Sequence, residues 1–301
     1  MAALADWQVL RHPRLRTLRD YALLMRLDRP IGIFLLLWPP MWALWIASRG
    51  VPPLKLLLVF IAGTVVMRSA GCIINDFADR RIDPHVKRTR DRPLAARRVS
   101  PQEALVLFGL LVAVALWLVT RLDRHTVMLS FVGAGLTISY PFMKRFFPLP
   151  QFYLGAAFGW AVPMAFAATL GHIPKVGWLL FLVTVIWAGV YDTVYAMVDR
   201  DDDLRLDVRS TAILFGDMDR LIVGCLQVLV LLGLLLAGRE AGLGAPFFWS
   251  LGVGAALFAW QQWLIRDRSR DGCFRAFLNN QWFGLAVFAG TVAAGNAMTV
   301  W

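Results

Sequence analysis

Acidic and amide side chains recur at helical spacing where an apolar run gives way to a polar segment. Asn75, Asp79 and Asp83 are spaced by four residues, which places them along one line of a helix. Pro84 cannot continue that helix without the loss of a hydrogen bond, so we expect the acids in its last turns. Stacked carboxylates repel one another and oppose the negative C-terminal end of the helix dipole. The pattern therefore predicts a bound divalent cation.

A second segment repeats the offsets 0, 7, 11 and 15 of the first. The positions are Arg68, Asn75, Asp79 and Asp83 in the first segment, and Asp192, Asp199, Asp203 and Asp207 in the second. At about 100° per residue, the first three positions of each set share one helix face. The repeat predicts two pseudo-repeated halves that present their acids to one cavity.

Two clusters of oxygen ligands suit Mg²⁺, which prefers carboxylates together with substrate phosphate oxygens. A diphosphate is a good bridge between two such ions, because metal and basic groups stabilise the charge that builds on it as a leaving group. The sequence contains no G-x-x-x-x-G-K-[ST] motif, which argues against nucleotide hydrolysis.

The composition places the chain in a membrane. Of its 301 residues, 58% are hydrophobic and 17% are charged, and a soluble core cannot bury that much apolar surface. Nine runs have membrane length, at about 31–48, 54–74, 103–120, 126–143, 151–170, 176–197, 219–238, 245–265 and 281–300. We predict an all-α membrane protein with nine transmembrane helices around a central cavity. A single polytopic domain (31–301) follows a cytoplasmic, interfacial N-terminal segment (1–30).

The net charge of +11 is distributed unevenly. If the spans alternate, 24 of the 31 Lys and Arg residues lie on one side of the bilayer, which is the positive-inside pattern. Both acid motifs are therefore predicted to face the cytoplasm. Because membrane topology accounts for most of the basic charge, we predict no nucleic-acid partner, and the sequence indicates no protein partner.

Basic residues near the acids have a chemical and a structural interpretation. The candidates for contact with a diphosphate are Arg29, Arg88, Lys144 and Arg145. Guanidinium and ammonium groups pair with phosphate oxygens, but long basic side chains at a membrane edge also snorkel without any chemistry. Arg68 lies inside a span, where an ionisable residue is a functional candidate. Its structural alternative is an ion pair that holds two helices together.

These segments resemble the UbiA superfamily of intramembrane prenyltransferases. The family's N-D-x-x-D-x-x-x-D is met by Asn75, Asp76, Asp79 and Asp83, and its D-x-x-x-D by Asp199 and Asp203. Further likeness lies in R-P-L at 92–94, Y-P-F-M-K-R at 140–145, L-G-A-A-F-G-W at 154–160, Y-D-T-V-Y-A-M-V-D-R-D-D-D at 191–203 and S-T-A-I-L-F-G at 210–216. Within the superfamily, the chain most resembles the 4-hydroxybenzoate polyprenyltransferases of ubiquinone biosynthesis.

The resemblance implies transfer of a polyprenyl group from polyprenyl diphosphate to 4-hydroxybenzoate, at the ring carbon beside the hydroxyl. It implies that Mg²⁺ is held by Asn75, Asp76, Asp79, Asp83, Asp199 and Asp203. Asp192 or Tyr195 would orient the acceptor hydroxyl, and Arg68 or Arg145 would hold its carboxylate. The implied location is the bacterial inner membrane.

Two departures from the family pattern concern loop shape and rate more than reaction class. Asp207-Val208-Arg209-Ser210 stands where close relatives usually have Gly-x-Lys-Ser, and Ala96-Arg97 replaces a frequent Ser-Gly turn. One alternative is a related prenyltransferase with another acceptor, such as a naphthoate, a haem or a homogentisate. A secondary transporter is a second alternative, because its repeats and buried charges look similar.

Overall fold

The structure is a computed structural model that describes residues 13–86, 89–143, 147–205 and 210–295. Within these ranges all regular structure is helical, which confirms the all-α class. The helices are α1 (Pro13–Leu24), α2 (Ile31–Ser48), α3 (Leu54–Asp79), α4 (Pro101–Val119), α5 (Arg124–Met143), α6 (Pro150–Gly159), α7 (Ala161–Leu170), α8 (Lys175–Arg205), α9 (Thr211–Leu214), α10 (Asp219–Glu240), α11 (Ala245–Leu264) and α12 (Arg270–Ala294). Short 3₁₀ turns lie at Asp83–His85 and Gly216–Met218.

Seven stretches of the described chain are long and apolar enough to cross a membrane. They are α2, α3, α4, α5, the α6–α7 pair, α8 and Gly216–Glu240. The last two predicted runs overlap α11 and α12, which fall outside this set. Gln261 and Gln262 lie in α11, and Asn279, Asn280 and Gln281 lie in α12, so polar residues lower the mean hydropathy of both helices. The number of nine crossings stays a prediction.

The predicted run 151–170 is divided into two helices at Trp160. Pro163 has no backbone N–H to donate to the carbonyl of Gly159, and its ring crowds that carbonyl. Just before the break, α6 packs tightly on α8. A Cβ on Gly155 would lie 2.6 Å from the backbone oxygen of Val185, so the small residues of this segment allow close helix packing, as expected.

The first compact unit comprises Met1–Ile33 and Ala62–Leu118. Its core contains Leu24, Ile73, Leu94, Val99 and Ala104. The loop after the first acid motif contributes Leu94 and Val99, so this loop is packed against α1, α3 and α4. It ends in a capping box at α4, because Ser100 Oγ accepts from the N–H of Glu103 at 3.1 Å while Glu103 Oε2 accepts from the N–H of Ser100 at 2.8 Å.

The second compact unit comprises Phe34–Ile61 and Val119–Trp301. One of its cores lies among α8, α10 and α12, and it includes Val190, Val194, Val198, Val223, Ile265, Cys273 and Ala276. Amide side chains in this unit bond across helices. Gln227 donates to Gln261 at 3.0 Å, and Gln261 donates to Asn279 at 3.0 Å. These bonds satisfy polar groups that would otherwise be costly to bury.

Candidate active site

Helix α3 carries the first three positions of the first acid motif. Arg68, Asn75 and Asp79 all lie within α3 and are half-buried. The helix ends at Asp79, so the expectation that Asp83 also lies in its last turns is wrong. Pro84 offers no N–H to the carbonyl of Arg80, and the chain tightens into i to i+3 bonds such as Ile82 N–H to Asp79 O at 2.8 Å.

Asp76 is 1% exposed and binds two arginines. Arg26 Nη2 donates to both of its carboxylate oxygens at 2.9 Å, and Arg92 Nη1 donates to Oδ1 at 3.0 Å. Arg92 Nη1 also donates to Oδ2 of buried Asp83 at 2.9 Å. The two guanidinium groups supply the positive charge that the sequence argument assigned to a metal ion at these two acids.

Asp83 lies outside the helix, where burial and the nearby charges shift the pKa of its carboxyl in different directions. Burial raises the pKa of its carboxyl, Arg92 lowers it, and the carboxylates of Asp76 and Asp79 raise it. The net direction is upward, because burial has the largest effect.

Arg26 reaches Asp76 from an unusual backbone conformation. Its φ is +58°, a left-handed value that costs an ordinary residue about 1 kcal/mol or more. The bonds Arg26 N–H to Leu23 O and Leu27 N–H to Ala22 O end α1 in the pattern for which glycine is usual. An arginine at this position indicates that the ion pair with Asp76 contributes more free energy than the backbone strain costs.

Arg68 packs directly over Gly32, at the start of α2. A Cβ built on Gly32 would collide with Nε, Nη2 and Cζ of Arg68. Glycine is therefore required at residue 32 for the observed position of this guanidinium. The contact fixes where Arg68 lies on the face of α3 that also carries Asn75 and Asp79.

Helix α8 carries the second acid motif without interruption. Asp192, Asp199 and Asp203 lie within Lys175–Arg205 and are half-buried, so the predicted helical spacing is confirmed in both motifs for offsets 0, 7 and 11. The Tyr195 ring lies against Phe277 of α12, with centroids 4.6 Å apart. Behind Asp192, Thr193 Oγ1 and Thr211 Oγ1 are hydrogen-bonded at 2.7 Å, which ties α9 to α8.

The acids between Asp199 and Asp203 are bound from another helix. Arg270, at the start of α12, donates to Asp202 at 3.2 Å and to Asp201 at 3.3 Å. These hydrogen bonds raise the pKa of Arg270. Because Asp201 is exposed, its pair contributes little stability, and Asp201 lies on the helix face opposite Asp199 and Asp203.

Asp219, the first residue of α10, is fully buried. Arg268 Nε donates to both of its oxygens at 3.0 and 3.1 Å, and Arg268 Nη2 donates to Oδ1 at 2.8 Å. Arg200 of α8 lies 3.5 Å away. Arg268 also has a left-handed backbone, with φ +53°. Its hydrogen bonds to Asp219 raise its pKa.

Each acid motif carries oxygen donors of the kind that bind Mg²⁺. Among the described residues, no three His, Cys, Asp or Glu side chains converge in a group that could hold a metal ion. Asn75 with Asp79, and Asp199 with Asp203, instead provide pairs of oxygen donors one helical turn apart. Mg²⁺ characteristically binds to one or two carboxylates and completes its shell with water and phosphate oxygens.

Several predicted site residues have no described position. Arg88, Lys144 and Arg145 lie outside the described residues, as do Asp207 and Arg209. Arg29 is described, and its side chain is 68% exposed and 3.5 Å from Asp28. The assignment of these basic residues to a diphosphate stays a prediction.

The sequence argument missed the arginine partners of the buried acids. Arg26 is not among the predicted site residues, and Arg92 is included only as part of R-P-L. Asp219 was not singled out, because an aspartate at the start of an apolar run is ordinary at a helix N-terminus. The signal that could have indicated Arg92 is its place in R-P-L, nine residues after Asp83.

Comparison with known proteins agrees with the fold and the motifs. The model of the UbiA prenyltransferase family matches residues 36–287. A relative from Alkalilimnicola ehrlichii named 4-hydroxybenzoate octaprenyltransferase is 58% identical over 271 residues, which cover 90% of this chain and 92% of the relative.

Solved structures show the same fold at low sequence identity. The apo structure of a UbiA homologue from Aeropyrum pernix K1 superposes with a TM-score of 0.76 at 24% identity, and the match covers 86% of this chain and 97% of that one. A UbiA homologue from Archaeoglobus fulgidus, bound to GPP and Mg²⁺, superposes with a TM-score of 0.74 at 15% identity, covering 92% and 99%.

Proposed function

Because the chain belongs to the UbiA prenyltransferase family, we propose that it transfers a polyprenyl group from polyprenyl diphosphate to the ring of 4-hydroxybenzoate in ubiquinone biosynthesis. The observation that carries the proposal is the 58% identity, along 92% of its length, to a relative named 4-hydroxybenzoate octaprenyltransferase. An octaprenyl donor is accordingly the first substrate to test.

Mg²⁺ is the proposed cation at each motif, where its ligands would be the donor pair Asn75 with Asp79 in the first motif and Asp199 with Asp203 in the second. When bound, it would neutralise the charge that develops on the leaving diphosphate. Asp76 and Asp83 are omitted from this ligand set, although the sequence predicted them, because Arg26 and Arg92 already bind their carboxylates. Their proposed role is to hold the loop that follows the first motif.

The remaining residues act on the two substrates. The C–O bond of the donor breaks and its electron pair leaves with the diphosphate. The residues proposed to contact the diphosphate are Arg29, Arg88, Lys144 and Arg145. The ring carbon beside the hydroxyl of the acceptor forms the new C–C bond and then releases its proton. Asp192 or Tyr195 is proposed to orient the hydroxyl, and Arg68 or Arg145 to hold the carboxylate through charge-assisted hydrogen bonds.

The proposed setting is the bacterial inner membrane, with nine crossings in one polytopic domain (31–301) after an interfacial segment (1–30). Seven candidate spans support a multi-pass protein. The concentration of Lys and Arg on one side of the alternating spans supports acid motifs that face the cytoplasm.

The test uses purified full-length protein in lipid nanodiscs, octaprenyl diphosphate and radiolabelled 4-hydroxybenzoate. The expected result is lipid-soluble label that forms with Mg²⁺ and not with a chelator. Diphosphate release without labelled product would reject this acceptor and direct the test to naphthoate or homogentisate. Neither product nor diphosphate release from folded protein, over several donor lengths, would overturn the proposal.

A further inference from the structure

A groove of about 1020 Å³ runs between α10 and α11 in the second compact unit. Its mouth is lined by Asp217, Arg220 and Arg268. Apolar and small residues line its length, among them Leu221, Gly224, Val228 and Leu231 of α10 and Ala255 and Phe258 of α11. Leu221 and Val228 are exposed, and α10 lies in a candidate membrane span, so the groove opens to the bilayer.

Two tryptophans near the end of α11 indicate the depth at which the mouth lies. The rings of Trp260 and Trp263 stack with centroids 4.6 Å apart, both side chains are half exposed, and Arg266 lies 4.0 Å over the Trp263 ring. Exposed tryptophan and arginine at the end of a membrane helix are typical of the head-group region. Arg220 lies at the same level, because its Nη1 donates to the backbone oxygen of Arg266 at 2.8 Å. The groove therefore leads from the head groups into the hydrocarbon.

The length of the groove matches one leaflet of a bilayer. Helix α10 advances eleven residues between Arg220 and Leu231, which is about 16 Å at ~1.5 Å per residue. Half of the hydrocarbon core of a bilayer is about 15 Å thick. An acyl chain of a phospholipid would therefore fill the groove when its head group lies at the mouth.

Arg220 has a buried hydrogen-bond donor at this mouth. Its Nε is shielded from water and has no acceptor within the described part of the chain. An unsatisfied donor of this kind is costly, and a phosphate oxygen is a strong acceptor for a guanidinium group. Arg268 is already bound to Asp219 through three hydrogen bonds, so Arg220 is the arginine at the mouth that fits an anionic ligand.

We propose that this groove binds an anionic phospholipid of the leaflet beside the second acid motif, with a head-group phosphate at Arg220 and one acyl chain between α10 and α11. That leaflet is predicted to be cytoplasmic, where basic pockets between membrane helices bind anionic head groups. The exposed carboxylate of Asp217 opposes the anion and limits its affinity. Binding of this lipid does not require the proposed prenyl transfer.

An exposed cysteine provides a reporter inside the groove. Cys225 lines the groove, whereas Cys72 and Cys273 are buried, so a bimane fluorophore can be attached to Cys225 of the full-length protein. Nanodiscs of dioleoylphosphatidylcholine receive rising fractions of phosphatidylglycerol or phosphatidylcholine with brominated acyl chains, which quench the fluorophore at short range. Phosphatidylglycerol is expected to bind about fivefold more tightly than phosphatidylcholine, the effect of one arginine near an anionic surface. Equal quenching by the two lipids would overturn the inference.

Two substitutions at the mouth should change this preference in opposite directions. Arg220→Gln is expected to reduce it to less than about twofold, and Asp217→Asn to raise it about twofold or more. Arg275→Gln is the matched control, because Arg275 is an exposed residue of α12 outside the groove, and it should retain the preference. An equal loss in Arg220→Gln and Arg275→Gln would show attraction to the whole surface and overturn the site. Because Asp217 is exposed, an unchanged preference in Asp217→Asn would overturn it even if Arg220→Gln does not fold.

A second pair of variants tests the acyl chain separately from the charge. Gly224→Leu places a side chain in the groove, where a Cβ would already lie 3.6 Å from Gln262 Nε2, and should weaken the binding of both brominated lipids about threefold or more. Gly252→Leu makes the same change in open space on α11 and should leave binding unchanged. Equal binding in the two variants would show that no acyl chain occupies the groove.

A competitor distinguishes a phospholipid from the proposed prenyl donor, which also joins phosphate to an apolar chain. Octaprenyl diphosphate is added to nanodiscs that contain brominated phosphatidylglycerol, and the quenching is expected to persist. Recovery of the fluorescence would show that the groove takes the prenyl donor, and the assignment to a phospholipid would be overturned.

Discussion

Each acid motif lies beside a buried aspartate that is ion-paired with an arginine of left-handed backbone conformation. The position of this aspartate relative to the motif sequence differs between the two. In the first compact unit it is Asp76, a member of the motif itself, bound by Arg26. In the second it is Asp219, which lies 16 residues after the last motif acid Asp203 and is bound by Arg268.

The difference shows that the residues of one motif have different roles. Asp76 is adjacent to Asn75, yet its carboxylate is committed to two guanidinium groups that fix α1 and the following loop. In the second motif the equivalent position is Arg200, and the buried acid is supplied by α10. The oxygen donors proposed for the cation are those at offsets 7 and 11, where both motifs carry an aspartate or asparagine.

The largest expected effect follows from this shared face. Asp79→Asn and Asp203→Asn should each lower the rate of prenyl transfer by about 10²–10³-fold, because each removes a charge from the site where diphosphate charge develops. Asp201→Asn is the matched control, since Asp201 is exposed and bound by Arg270, and it should change the rate by less than about threefold. A comparable loss in the control would contradict the division into two faces. Single-turnover product formation in nanodiscs measures all three.

The next effect concerns stability. Asp76→Asn should lower the free energy of unfolding by about 3 kcal/mol, because Arg26 and Arg92 lose a buried countercharge. Asp91→Asn is the control, since Asp91 is in the same loop with its side chain 87% exposed, and its unfolding midpoint should match that of the parent protein. Denaturant titration in mixed micelles measures both midpoints. An unchanged midpoint for Asp76→Asn would show that the acid is not structural.

The left-handed arginines sharpen the comparison further. Arg26→Gly and Arg268→Gly relieve backbone strain of about 1 kcal/mol but lose charge-assisted bonds to a buried acid, so each should destabilise the protein by roughly 2 kcal/mol. Arg49 also has positive φ, at +52°, and is exposed. Arg49→Gly should therefore be neutral or slightly stabilising. The same unfolding titration compares the three, and a stabilised Arg26→Gly would refute the clamp.

The smallest effect concerns Arg68, the first position of the first motif. Gly32→Ala should displace the Arg68 guanidinium and raise the KM for 4-hydroxybenzoate roughly tenfold, since small misplacements of a binding group are costly. Gly63→Ala is the control, because open space surrounds Gly63 in the same α3. If the KM for the acceptor stays constant while the KM for the donor rises, Arg68 contacts the diphosphate instead.

Much of the architecture could be predicted from the sequence. Seven of the predicted apolar runs correspond to stretches of the described chain that are long and apolar enough to cross a membrane, because length and hydropathy are local properties. The exceptions are also local in origin. Pro163 divides the fifth run into two helices. Polar residues in α11 and α12 leave the last two runs less apolar than the seven candidate spans.

The sequence by itself determined which acids recur at helical spacing, since offsets of 7 and 11 share a face on any α-helix. Only the tertiary structure decided which arginines bind the buried carboxylates of Asp76 and Asp219. Arg26 reaches Asp76 across 50 residues of chain, and Arg268 reaches Asp219 across 49. Such pairs depend on where packing brings distant side chains together, and no spacing within a motif encodes that distance.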